Sequence, residues 1–213
     1  LRPCDGRMGR ALCFITPDNE RSFVIGKGIM NDLDAESIRA DVIQSAGALL
    51  ISSFLLRDEN TPIFSATMKA VELANEFDVP VVLALGTSSI VQEKRSFLKD
   101  FIQKSISVVA CNLNEIHALT DIDDPLKAGE EVLDMTDLVL LTVGERGLYI
   151  CGHVCEEHAR ETKDQIHSKS ITEYNKYEYS RAMLRGQCKR PVKIYTHINP
   201  VSYTHLRAHE TRP

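Results

Sequence analysis

Between residues 48 and 142 the chain repeats one pattern: a short apolar run, a small or polar cluster, then a stretch long enough for a helix. The runs are Ala48-Leu49-Leu50-Ile51, Val79-Pro80-Val81-Val82-Leu83-Ala84-Leu85, Ile106-Ser107-Val108-Val109-Ala110-Cys111 and Leu138-Val139-Leu140-Leu141-Thr142. Strands covered on both faces read as near-continuous apolar runs, and parallel neighbours need a crossover of about a dozen residues or more. The intervening segments meet that demand. Asp34 is placed to N-cap a helix carrying Ile38, Val42 and Ile43 that ends near Gly47. Pro62 starts another, with Met68, Val71, Leu73 and Ala74 on its apolar side, and a third is centred on Phe97, Leu98, Phe101 and Ile102. A helix pair precedes Leu138. Successive βαβ units and a mostly parallel sheet are the expected result, an α/β fold.

Three of these runs end in a small or polar cluster: Gly86-Thr87-Ser88, Asn112-Leu113-Asn114-Glu115 and Thr142-Val143-Gly144. Ligands of open parallel sheets gather at the carboxyl ends of the strands, so the site is expected there. Ahead of the repeat, Ala11–Thr16 and Ser22–Ile25 flank Pro17-Asp18-Asn19-Glu20, the composition of a hairpin. Behind it, residues 151–190 are rich in Glu, Lys and His, with a helix expected near Thr172–Leu184. This segment reads as an insertion before a returning strand, Val192–Ile198.

A length of 213 residues suffices for one sizeable core, and 43% hydrophobic with 26% charged residues is ordinary for a globular protein. The net charge of −5 gives no electrostatic case for nucleic acid or an anionic membrane as partner. Six cysteines (Cys4, Cys13, Cys111, Cys151, Cys155 and Cys188) lack a disulfide-type framework, which points to a reducing, cytoplasmic compartment. Cys13 and Cys111 fall inside apolar runs, where a thiol serves as a small hydrophobe. The chain opens on Leu1 without Met and shows no signal peptide, so its natural start is expected elsewhere. Residues 201–213 have no apolar period and resemble the translation of a sequencing-library adapter; they are read as a non-native tail.

Asn112 and Glu115 have the spacing of a capping box, which is a common way to start a helix. The same pair would face phosphate and hold Mg2+ through water, and a helix N-terminus suits both roles. Thr142-Val143-Gly144-Glu145-Arg146-Gly147 follows the most apolar run. Its glycines permit close approach to a nucleotide, or serve only the turn of a hairpin into Leu148-Tyr149-Ile150. Cys151, His153, Cys155 and His158 suggest a metal cluster but lack the paired spacing of structural zinc sites, and read by default as surface polar residues. Ile171, Tyr174, Tyr177 and Leu184 read as a packing stripe on the late helix. His117 has no nucleophile placed beside it, and the pairs Ser52-Ser53 and Ser88-Ser89 lack a nucleophile elbow.

The order of elements, with Asn112/Glu115 in an N-x-x-E pattern and Thr142/Gly144/Gly147 in a T-x-G-x-x-G pattern, resembles the ribokinase-like (PfkB) kinases. Ala66–Glu72, Val79–Leu83, Leu85-Gly86-Thr87 and above all Glu173–Met183 are similar to the inosine-guanosine kinases within that superfamily. The resemblance runs from about Gly6 to Pro200. It implies a three-layer α/β/α sandwich with a mostly parallel sheet and a small β lid, incomplete at both ends. Residues 1–200 would form a partial kinase domain, 1–30 its lid segment and 151–190 a family-specific insertion. It implies ATP-dependent phosphorylation of a purine nucleoside at the 5′-hydroxyl, with Mg2+. Thr142, Gly144 and Gly147 would line the ATP groove, and Asn112 and Glu115 would organise the metal. The family's Gly-Ala-Gly-Asp motif, source of the catalytic base, occurs nowhere in the chain and is expected beyond Pro200. No catalytic residue is therefore assigned, and the 213 residues alone are expected to be inactive. A related sugar or adenosine kinase and a non-catalytic nucleotide-binding module are the alternatives.

Overall fold

The computed structural model describes residues 5–18, 21–158, 161–166, 174–177, 186 and 188–198. These fall into two compact units, Leu1–Val81 and Val82–Pro213.

In the first unit, β1 (Arg10–Ile15) and β2 (Arg21–Gly26) form the expected antiparallel hairpin, in register from Arg10↔Gly26 to Ile15↔Arg21. Every residue of both strands is exposed. Cys13, read as a small hydrophobe in an apolar run, is exposed with the rest of its strand.

Asp34 does cap, accepting from the Ser37 amide at 2.8 Å, but it closes only the short 3-10 turn Ala35–Ser37. Ile38 then turns extended (φ −81°, ψ 117°), so the expected helix breaks and restarts as α1 (Ala40–Gln44). β3 (Leu49–Ser52) alternates instead of being covered on both sides: Ile51 is 4% exposed and Leu50 70%. Its Leu49 amide donates to the Pro80 carbonyl at 2.9 Å.

α2 (Pro62–Glu76) begins with Pro62 in its first turn, where a missing N–H costs nothing. Ala66, Ala70, Val71, Leu73 and Ala74 are its buried stripe. It ends where Asp78 goes left-handed (φ 55°) and the Val79 amide reaches back to the Ala74 carbonyl at 2.7 Å.

The second unit is built on β4 (Val81–Ala84), α3 (Ser88–Glu93), α4 (Arg95–Ser105), β5 (Val108–Asn112), α5 (Leu113–Thr120), α6 (Pro125–Leu133), β6 (Leu138–Thr142) and β7 (Leu148–Cys155). It continues with β8 (Glu161–Ile166), β9 (Tyr174–Tyr177) and β10 (Pro191–Ile198). The strands lie in the order β4-β5-β6-β7-β10-β9, with β8 beside β9. β4, β5 and β6 are parallel, joined by helical crossovers as expected. β7 runs antiparallel to both β6 and β10. Val109, Cys111, Val139, Leu141, Val81 and Leu83 form the buried rows of this sheet, each Val or Leu side chain contributing about 1.5–3 kcal/mol of apolar burial.

Three expectations for the polar segment need correction. Residues 151–155, placed at the start of an insertion, are the last five residues of β7. Cys151, His153 and Cys155, read as surface residues, are buried there, because strands β6 and β10 flank β7 and α6 packs on it. His153 Nδ1 lies 3.4 Å from the Asp137 carbonyl. The helix expected near Thr172–Leu184 is replaced at Tyr174–Tyr177 by β9, parallel to β10 at Tyr195↔Lys176. Tyr is at home in a strand, and pairing with β10 decides the outcome. Ile171, Leu184 and residues 201–213 lie outside the described residues.

Candidate functional site

Asn112 is both the last residue of β5 and the N-cap of α5, in extended conformation (φ −103°, ψ 176°). Its Oδ1 accepts from the Glu115 amide at 2.9 Å. Glu115 returns both oxygens: Oε2 accepts from the Asn112 amide at 3.0 Å and Oε1 from Asn112 Nδ2 at 2.8 Å. The capping box of the sequence is therefore fully formed, with one further bond between the side chains. At the other end of α5, Asp121 adopts φ 64° and its amide donates to the His117 carbonyl at 2.7 Å, which closes the helix.

Glu115 is 7% exposed. Burial pushes its carboxyl pKa up, and the two bonds from Asn112 pull it back only in part. The carboxylate oxygens each accept one bond within the box, which leaves lone pairs for water or a cation's hydration shell. That donor set suits Mg2+ held through water better than direct capture, since Mg2+ sheds its waters reluctantly.

β6 delivers the second group of residues. Thr142 is the Cα partner of Asn112 across the parallel β5/β6 pair, so the two expected clusters end side by side. Thr142 Oγ1 donates to the Cys111 carbonyl at 3.3 Å. Beyond it the chain makes a tight turn: the Val143 amide donates to the Gly147 carbonyl at 2.8 Å, Arg146 N to Val143 O at 3.0 Å, and Gly147 N to Gly144 O at 3.0 Å. Gly144 (φ 51°) and Gly147 (φ 86°, ψ −148°) both need positive φ, and Gly147 lies close to a region that is essentially glycine's alone. Among the described residues, apart from its two chain neighbours, no heavy atom lies within 4 Å of the position a Cβ on Gly144 would take, so the turn is open on that side. The hairpin into β7 is real, and the same glycines make both the turn and the open edge.

Of the residues expected at the site, Asn112 and Thr142 pair at adjacent strand ends, Glu115 closes the box on Asn112, and Gly144 and Gly147 make the turn that follows Thr142. The structure does not add the others. His117 is exposed and pairs with Asp123 at 3.1 Å. Cys151, His153 and Cys155 are core residues of β7, and His158 lies in the short turn after it. Among the described residues, no three His, Cys, Asp or Glu side chains are grouped to hold a metal. One residue at the turn has no motif to announce it: His197 of β10, which bonds to the Arg146 carbonyl. It sits in an alternating strand whose partner, β7, is remote in sequence.

A family model described as pfkB family carbohydrate kinase matches residues 3–168. The guanosine-inosine kinase of Escherichia coli (strain K12) is 43% identical over 201 residues, 94% of this chain and 46% of the relative. The chain therefore spans about half the length of that relative. Among solved structures, an adenosine kinase from Sinorhizobium meliloti superposes with a TM-score of 0.62 at 23% identity, covering 67% of this chain and 43% of its own. A putative ribokinase II from Escherichia coli in complex with ATP and Mg2+ gives 0.55 at 15% identity, covering 80% and 50%. These likenesses show the fold to be ribokinase-like α/β.

Proposed function

Since the chain belongs to the pfkB family of carbohydrate kinases, we propose that it supplies the nucleotide and metal side of an ATP-dependent kinase whose acceptor is the 5′-hydroxyl of a purine nucleoside, inosine or guanosine. The observation that carries this reading is the pairing of Asn112 with Thr142 at adjacent strand ends. It sets a charged capping box beside a glycine turn. Similarity to a guanosine-inosine kinase over 94% of the chain supports the purine nucleoside as acceptor, ahead of a sugar or adenosine.

In this reading the Gly144–Gly147 turn and Thr142 receive ATP, because a backbone without side chains at those positions admits close approach. Asn112 and Glu115 would hold hydrated Mg2+, which when bound would neutralise charge developing on the transferring phosphoryl oxygens. Asn112 fixes the Glu115 carboxylate from both sides, so its charge is aimed before substrate arrives. The N-terminus of α5 adds the partial positive charge of its first-turn amides. The base that takes the hydroxyl proton is not assigned to any of the 213 residues, which contain no Gly-Ala-Gly-Asp sequence. The β1–β2 hairpin is proposed as the substrate lid and the cytoplasm as the compartment. Among the described residues no helix is long and apolar enough to cross a membrane.

The test is transfer of labelled γ-phosphoryl from ATP by the protein that carries this chain, with inosine, guanosine, adenosine and ribose as competing acceptors. Inosine or guanosine monophosphate is the expected main product. Preferential labelling of adenosine or ribose would replace the purine reading with one of its alternatives. Nucleotide binding without transfer to any acceptor would favour the binding module.

A further inference from the structure

We propose that His197 is a positioning residue for the glycine turn, holding it in the shape that receives the nucleotide; the inference rests on the nucleotide-binding role proposed for that turn. His197 is the Cα partner of Tyr149, in the β10/β7 pair. Its ring stacks on the Tyr149 ring with centroids 4.5 Å apart and planes at 25°. From there it bonds to the carbonyl of Arg146, a residue 51 positions away that belongs to the turn and not to the strand ladder. A carbonyl only accepts, so Nε2 carries the hydrogen.

The consequence comes from peptide planarity. The Arg146 carbonyl and the Gly147 amide share one rigid plane, and anchoring the oxygen fixes where the N–H points. That N–H donates to the Gly144 carbonyl at 3.0 Å, across the loop that carries both glycines. Glycine at φ 86° and ψ −148° has no side chain to hold it there, and alternative conformations are cheap. His197 supplies the restraint from outside the turn, and Tyr149 fixes the angle of its ring.

Two variants separate the donor from the stack. His197→Phe keeps a ring over Tyr149 and lacks the N–H; His197→Gln places an amide N–H at similar reach. Hydrogen exchange of residues 143–148, read without nucleotide, is expected to quicken about tenfold in the Phe variant and to recover in the Gln variant. ATP affinity should follow the same order, about tenfold weaker for Phe and within about threefold of wild type for Gln. Should the Phe protein fail to fold, His197→Asn, whose amide stops short of the carbonyl, takes its place with the same expectation. Equal exchange in wild type and the donor-free variant would overturn the proposal. So would a Gln variant as impaired as Phe. If the wild-type protein does not bind ATP, the kinase reading falls by itself, while exchange at the turn still decides whether His197 holds it.

Discussion

Glu115 serves two roles with opposed demands. As the third residue of α5 it accepts two bonds from Asn112 that favour its ionised form, yet it is buried, and burial penalises that form. The balance raises its pKa above the ordinary 4.5, with burial as the largest cause. A carboxyl that holds its proton more tightly folded than unfolded favours the fold at low pH. That contribution is lost as pH rises from the ordinary carboxylate range through the raised value. Glu115→Gln keeps a capping-box partner and removes the titration. Urea unfolding from about pH 4 to about pH 7 should therefore show wild type losing stability relative to the Gln variant as pH rises. A difference that stays constant, or runs the other way, would contradict the stated balance. A second contrast separates the two glycines of the turn. At φ 51° with free space around its Cβ position, Gly144→Ala is expected to cost about 1 kcal/mol. Gly147→Ala, near the region only glycine occupies, should cost about 1–3 kcal/mol and lower the thermal midpoint further.

Helix–sheet packing in the second unit depends on a glycine of another kind. Gly129 of α6 lies against β7, where an added Cβ would fall 2.7 Å from Cys151 Sγ. Alanine is the better helix former by about 1 kcal/mol, but Cys151 is fully buried and its sulfur has little room to retreat. Gly129→Ala should therefore destabilise by about 1–3 kcal/mol in urea unfolding. The double change Gly129→Ala with Cys151→Ala should recover part of that loss, and full additivity would show that the contact is not the cause. The same strand shows why some of the sequence reading went astray. Cys151, His153 and Cys155 alternate because they share one face of β7, and that period is local. Their burial depends on β10, which arrives from residues 191–198, and no local pattern reports such a neighbour. β9 was hidden for the same reason, since Tyr174–Tyr177 is a strand through its pairing with β10. The β1–β2 hairpin, α2 and the parallel strands β4 to β6 were readable because turn residues, Pro62 and apolar runs encode them locally. The break at Ile38 was not, because Asp34 caps the short turn and the expected helix equally well. In the site, Asn112 and Glu115 carry a local signal, while the tether from His197 has none.

The two site clusters meet because parallel topology sends β5 and β6 to the same edge, and this juxtaposition gives the family resemblance its chemistry. In open parallel sheets the carboxyl ends of the strands are where ligands gather, which is why the nucleotide is proposed at that edge. The chain covers 46% of its guanosine-inosine kinase relative, so the proposed turnover is tested on the protein that carries it and the proposed nucleotide binding on these residues. The decisive measurement is calorimetric titration of ATP into the 213-residue chain, with and without Mg2+, for wild type, Asn112→Ala and Gly147→Ala. The account predicts saturable binding that Mg2+ strengthens and that each substitution weakens about tenfold. No binding by the folded wild-type chain, or binding that neither substitution nor Mg2+ removal alters, would contradict it.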